Sequence, residues 1–433
     1  MTRIVQSLSS LIFSIILLVS GNAFLMTLLG VRMSVEALGT TVIGWVLVCY
    51  SVGFVFGTLF GPRIVERAGH IRAFAVFCSM LAATALIYPF AVEAPLWAVL
   101  RGVGGFAMAG LMLVMESWFS ATATNRNRAT LFAVYQVIFF LSTAGGQLLI
   151  NVGDIKSFEP FSVAALLLVL ALVPLSMTRR AAPHIESARR MAFSTLFRTA
   201  PSGLIGALVG GLMISSFYAM GPVYANQIGL EAGKLSTFMA IAIVTAMIFA
   251  WPVGLVCDRF NRRRVLMVVA AVAGGSSLLA AFFGPLGFSV LLPSVGIFMG
   301  LAAAIYPIAV AITNDRMEHH EIVPASTTLL LSYGVGSCIG PVVSSAAMSL
   351  LGPMGLFIGN AAILVLLCGV LAYRIESSAD VPLEEQEHYI PTPADSAGII
   401  AEIDPRNEEF HEFDQTWEAY DESAHREAAH SAG

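Results

Sequence analysis

The sequence predicts an all-α membrane protein: twelve transmembrane helices in two pseudo-symmetric six-helix bundles. Three observations carry this. The 433 residues are 57% hydrophobic and only 12% charged, where a soluble domain carries about 25% charged residues, and mean hydropathy is +0.81. Twelve apolar runs reach the roughly 20 residues that a helix rising about 1.5 Å per residue needs to cross a bilayer. The second half of the chain also repeats landmarks of the first at a nearly constant offset. Barrel strands would alternate apolar and polar residues over about ten positions, whereas these runs are apolar all round.

The first run, 8–30, has only Arg3 ahead of it and no small-residue cleavage site after it, so it reads as a retained helix and not a signal peptide. The second, 40–62, closes on the charged stretch GPRIVERAGHIR at 61–72, and the third covers 73–92. The fourth, 95–120, contains Arg101; the fifth, 129–151, contains LSTAGGQ at 141–147. After the sixth, 160–178, the basic segment 179–199 with Pro183 suits a linker. The seventh and eighth, 200–226 and 235–257, lead into GLVCDRFNRRRV at 254–265. The ninth to twelfth cover 264–284, 287–313, 325–350 and 354–373. The chain therefore divides into a first bundle over 1–178, a linker over 179–199, a second bundle over 200–375 and a tail over 376–433. Five cysteines, Cys49, Cys78, Cys257, Cys338 and Cys368, all fall inside apolar runs and read as small buried hydrophobes without a disulfide framework.

With twelve spans, alternate loops share a side. One set, with the N-terminus and the residues just after the last span, holds seventeen of the 23 basic residues; the other holds Arg32, Lys156 and Lys234. The positive-inside rule then places both termini of this multi-pass protein in the cytoplasm. The tail is different in kind, with 16 acidic residues against 2 arginines. Such a segment is expected not to fold alone and to extend as an acidic, disordered cytoplasmic tail. Its stretch HEFDQTWEAYDE (411–422) mixes aromatic residues with acids and could dock on the arginine-rich loops.

Glu66 and Asp258 are 192 residues apart, Gly110 and Gly300 are 190 apart, and Gly146 and Gly340 are 194 apart. Three matches near one offset imply two six-helix halves of common origin. Halves related by an axis along the membrane normal form a transporter architecture with a site between them near the midplane.

At this point the chain resembles the major facilitator superfamily, over about residues 5–375. The resemblance rests on the loop signature Gly-any-Leu-Ala-Asp-Arg-any-Gly-Arg-Lys. Its second copy matches at Gly254, Asp258, Arg259, Arg262 and Arg263, with Asn261 in place of the second Gly. The first copy is looser: Glu66 stands at the Asp position, Arg67 and Gly69 match, and His70 replaces the Arg. Arg101 followed by Gly105 meets the signature of the fourth helix. MESWFSATATNRNR (115–128) and LLLSYGVGSCIGP (329–341) look like an uncharacterised bacterial branch of the superfamily.

The resemblance implies a secondary active transporter moving a small organic solute by alternating access, proton-coupled, with export favoured. It assigns Glu66, Arg67 and His70 to one gate latch, and Asp258, Arg259 and Arg262 to the other. Orientation needs only basic residues, so the two acids ask for a further role. Arg101 and Glu116 are the coupling candidates; an arginine within a span costs about 2.5–3.5 kcal/mol on insertion scales. Fifteen residues are about 22 Å of helix, so the two cannot pair directly. The lining residues implied for the central path are Asn22, Arg101, Gln136, Tyr218, Tyr224, Tyr306 and Tyr333, together with Gln147. For each amide, bonding between helices is the alternative role. Such a lining suits an amphipathic, aromatic or weakly anionic solute better than a polyol.

His319 and His320 lack further spaced ligands, so no metal site is expected. There is no phosphate-cradling motif and no nucleophile–base constellation, so neither ATP-driven transport nor an enzyme is supported. No cofactor is expected. The implied partners are a small-molecule substrate, protons and the lipid bilayer, with no nucleic acid, and the protein is expected to be a monomer. Two other function classes remain: a transport-fold sensor or receptor signalling through the acidic tail, and a lipid or lysolipid flippase.

Overall fold

The computed structural model describes residues 2–122, 128–176, 191–378, 380–386 and 389. Among them are helices and turns and no strand. The spanning helices are α1 (Thr2–Val35), α2 (Thr40–Ala68), α3 (His70–Ile87), α4 (Ala94–Thr122), α5 (Arg128–Leu148) and α6 (Glu159–Leu170) in the first half. The second half has α7 (Pro201–Gln227), α8 (Ala232–Cys257), α9 (Arg262–Phe283), α10 (Phe288–Asn314), α11 (Ile322–Leu351) and α12 (Gly355–Ser377). Eleven of these are long and apolar enough to cross a membrane. The sixth is shorter than its sequence implies: α6 stops at Leu170 and a short helix, Leu172–Ser176, continues it. Pro174 explains the break, since its ring displaces the carbonyl of Leu170 and it has no N–H to donate. Together they form an apolar segment over Glu159–Leu175.

The two halves pack by the same plan. In the first, α2 lies on α4, α1 on α5 and α6, and α3 on α4 and α6. In the second, α8 lies on α10, α7 on α11 and α12, and α9 on α10 and α12. The contacts between halves obey the same twofold relation: α2 meets α11, α8 meets α5, and α1 meets α7. Small residues make these approaches possible, because lipid offers no hydrophobic drive and association rests on close packing. A Cβ added to Gly146 would lie 2.5 Å from the carbonyl oxygen of Ser20, and one added to Gly340 would lie 2.5 Å from that of Leu212. The repeat seen in the sequence is thus a repeated α1–α5 and α7–α11 contact. Gly110 and Gly300 correspond less closely: the first seats the ring of Phe77 on α3, the second that of Phe249 on α8.

Lipid-facing surfaces carry large apolar side chains. Along α2, Val42, Trp45, Val52, Phe56 and Phe60 are exposed at helical spacing, while Gly53 and Gly57 on another side abut the backbone of α4. A helix that is apolar all round in this way belongs in a membrane. The five cysteines are free.

The two copies of the charged loop turn by different means. Between α2 and α3, Gly69 adopts φ 79, a left-handed backbone that costs a residue with a Cβ about 1 kcal/mol or more. The equivalent Asn261 keeps φ −55 and instead caps α9, its side chain accepting from the N–H groups of Arg263 and Arg264. Asn261→Ala is expected to lower stability by about 1 kcal/mol, the usual worth of an N-cap. Asn261→Asp should keep it, and thermal unfolding in detergent distinguishes the two.

The linker's described end is fixed to the second bundle. The N–H of Met191 donates to Pro324 at 3.2 Å and Thr328 Oγ1 donates to the Met191 carbonyl at 2.7 Å. The short helix Phe193–Thr199 follows; residues 177–190 lie outside the described residues, as does 411–422 of the tail.

Candidate functional site

Arg101 sits in the eighth position of α4, about 10 Å from its start. Its side chain does not run out towards the nearby helix end. The guanidinium lies over the ring of Tyr50, 4.6 Å from the centroid, and Nη1 reaches the sulfur of Met26 at 2.7 Å. Tyr50 on α2 accepts in turn from Asn22 Nδ2 on α1 at 3.3 Å. Three helices of the first bundle therefore converge on one cation. Arg101 is 3% exposed, its Nε has no hydrogen-bond partner, and it has no acidic partner among the described residues. A cation–π contact returns about 0.5–2 kcal/mol, well short of what a buried charge loses on leaving water. The cation is held where stability alone would not put it.

The other lining candidates divide. Tyr306 and Tyr333 pack edge to face at 5.0 Å, joining α10 to α11. Tyr218 is half-buried on α7 beside Phe217. Gln136 is half-buried on α5. Tyr224 belongs to the aromatic core of the second bundle, 1% exposed and edge-on to Phe357 at 4.9 Å. Gln147 ties helices together: it accepts from Thr27 Oγ1 at 2.5 Å, joining α5 to α1. Tyr50 is absent from the lining residues expected from the sequence, none of which lies on α2.

Two of the six predicted latch residues, Arg262 and His70, are held within one bundle in this conformation. Arg262 is buried and forms an ion pair with Asp315 at the end of α10, and its Nη1 also reaches the Ala311 carbonyl at 3.3 Å. His70, at the matching start of α3, is 4% exposed and stacks on Trp118 of α4 with centroids 6.2 Å apart. Glu116, two residues earlier on α4, is fully buried. Glu66, Arg67 and Arg259 are exposed, and their side chains make no ion pair or hydrogen bond among the described residues. Asp258 is also exposed, and it accepts from the backbone N–H of Tyr389, in the tail, at 2.7 Å. Among the described residues no group of three His, Cys, Asp or Glu could hold a metal; His320 only approaches Glu318, at 3.5 Å on the surface.

Call the side with the N-terminus and the arginine-rich loops the basic face. Polar contacts join the bundles at the other face. Asn226 Nδ2 donates to Ser34 Oγ at 2.8 Å, Gln227 Nε2 to Thr40 Oγ1 at 3.2 Å, and Asn151 Nδ2 to Ser236 Oγ at 3.4 Å. Close packing extends from that face to mid-depth, where a Cβ on Gly334 of α11 would lie 2.9 Å from Val55 of α2.

Two pseudo-symmetric six-helix bundles meeting across a shared interface, with a buried cation on an inner helix, define a membrane transporter of the secondary class. A sequence profile of the Major Facilitator Superfamily matches residues 8–301 and 235–402. An uncharacterised MFS-type transporter of Enterobacter sp. (strain 638) is 28% identical over 343 residues, covering 78% of this chain and 88% of that protein. Among solved structures, the nucleoside transporter NupG shares the fold with a TM-score of 0.70 at 15% identity, over 85% of this chain and 98% of that one. A D-xylose–proton symporter does so with a TM-score of 0.65 at 12% identity, over 85% and 97%. The chain belongs to the Major Facilitator Superfamily. It is a multi-pass membrane protein and a secondary transporter, which is not an enzyme class.

Proposed function

We propose that this transporter exchanges protons for a small organic solute by alternating access, exporting the solute across the bacterial inner membrane. The distribution of arginines supports cytoplasmic termini, so that the basic face looks into the cell. Polar contacts join the bundles at the periplasmic side, and Glu66 and Arg67 are exposed at the other; we read this as a carrier open to the cytoplasm. The observation that carries the reading is Arg101, a buried cation without an acidic partner among the described residues. A site of this kind favours a solute with a weakly anionic group, and the Tyr50 ring beside it favours aromatic or amphipathic character. The fold's occurrence in a proton symporter supports protons as the driving ion. Glu116, fully buried, is the single acid on the same helix and is the second coupling residue.

The test begins with thermal-shift screening of the purified protein against metabolites and drugs at two pH values. A stabilising compound is then loaded into proteoliposomes carrying a pH dye. The expected result is solute movement that raises or collapses the pH gradient. Solute flux indifferent to an imposed gradient overturns proton coupling, and a panel without any stabilising aromatic or anionic compound overturns the solute class.

A further inference from the structure

The tail begins as more than a tether. Beyond Ser377, the chain crosses from the start of α9 back to the end of α8. Arg263, 3% exposed, donates from Nη1 to Ser378 Oγ at 2.9 Å and to the Ser378 carbonyl at 3.2 Å. It also forms an ion pair with Asp380 at 3.1 Å. A short turn at Leu383–Glu385 redirects the chain, and Gln386 Nε2 closes it on the Val381 carbonyl at 3.0 Å. Tyr389 then covers α8: its N–H donates to Asp258 Oδ1 at 2.7 Å, and its ring lies where a Cβ on Gly254 would come within 2.9 Å.

Gly254 and Asp258 are one helical turn apart and are the glycine and acid of the loop signature. The strap therefore covers both of the positions that shape this end of α8. The twofold plan pairs α8 with α5 as it pairs α11 with α2. At the opposite face Ser236 of α8 already accepts a hydrogen bond from Asn151, in the turn Leu149–Asn151 that follows α5. Closing the basic face requires the Gly254–Asp258 end of α8 to approach the start of α5, and an aromatic ring lies on that end.

We propose that the Gly254–Asp258–Arg263 surface is a docking site for the chain's own strap, described at residues 378, 380–386 and 389, and that strap occupancy holds the basic face open. The proposal rests on the alternating-access reading. The partner chemistry is specific: an extended segment offering a backbone N–H to a carboxylate, a planar aromatic side chain to a glycine, and a carboxylate to an arginine. Arg263 and Asp258 thus serve as opposite-signed ends of one cradle.

The test uses the full-length chain with its five cysteines replaced by alanine and spin labels at Glu66→Cys and Arg264→Cys, both exposed positions at the basic face. A second protein is labelled at Thr41→Cys and Glu231→Cys, exposed at the opposite face. Tyr389→Pro removes the N–H and the ring together, and truncation after Ser377 removes the strap. Both are expected to raise the ratio of short to long Glu66–Arg264 distances by roughly tenfold, the scale of losing one hydrogen bond to a charged acceptor. Tyr389→Phe keeps the N–H and the ring and should shift the ratio less than Tyr389→Pro does. Unchanged populations in Tyr389→Pro and in the truncated chain, with opposite-face labels that still move between conditions, overturn the docking proposal alone. If neither label pair moves with pH or a stabilising ligand, alternating access itself is overturned and the proposal with it.

Discussion

Arg101→Ala is expected to abolish coupled transport while leaving the protein inserted and at least as stable as before. The two halves of this expectation have one cause. A buried guanidinium without an acidic partner among the described residues has lost its hydration, and its cation–π contact with Tyr50 and thioether contact with Met26 replace only part of it. Deleting it removes an unfavourable group, so thermal unfolding should occur at an equal or higher temperature. Function should fall by at least about 100-fold, the lower end of what losing a proton-transfer or charge-positioning group costs. Arg101→Lys should recover little, because an ammonium is a compact, strongly hydrated charge and does not spread over an aromatic face as a guanidinium does. Solute-driven pH changes in proteoliposomes, read beside melting temperature, check both halves. Full coupled flux in Arg101→Ala would remove the residue from the mechanism. A large fall in melting temperature would make it structural.

The second large effect has the opposite pattern. Arg262→Ala or Asp315→Ala should lower stability by about 3–5 kcal/mol, because each leaves its former partner as a charge buried inside the second bundle. The side chains are 2% and 3% exposed, so water cannot easily replace what is lost. Replacing both, as Arg262→Met with Asp315→Leu, should cost far less than either single change, since no charge is then stranded. Equilibrium unfolding in detergent measures the cycle. Equal losses in the single and double variants would show that the pair is not what holds the start of α9 to the end of α10.

Much of the architecture was legible in the sequence because membranes impose simple rules. Apolar run length gives the spans, and glycines must recur wherever helices pack backbone to backbone. Gly146 and Gly340 therefore mark equivalent contacts in the two halves. The shortened α6 was legible in principle, because Pro174 lies inside its run. The site was less legible because charge and shape act across helices distant in sequence. Arg262 stood out as a loop arginine, but its partner Asp315 lies 53 residues on, and only the antiparallel pairing of α9 with α10 brings the two together. The same loop position carries an ion pair in the second half and a His70–Trp118 stack in the first, so similar outlines conceal different anchors. Tyr50 gave no signal of its own, being one aromatic residue in an apolar helix. The strap was hidden by composition: a tail rich in acids reads as solvated, yet Arg263 holds Ser378 and Asp380, and Tyr389 meets Asp258 and Gly254.

The central claim is that one duplicated bundle tilts against the other, so that the two faces open in alternation. Paired distance measurements in proteoliposomes test it most directly, with labels at Glu66 and Arg264 for the basic face and at Thr41 and Glu231 for the other. As pH or a stabilising solute changes the populations, the first distance should shorten while the second lengthens, in matched fractions. Two distances that stay fixed, or that lengthen together, would contradict it.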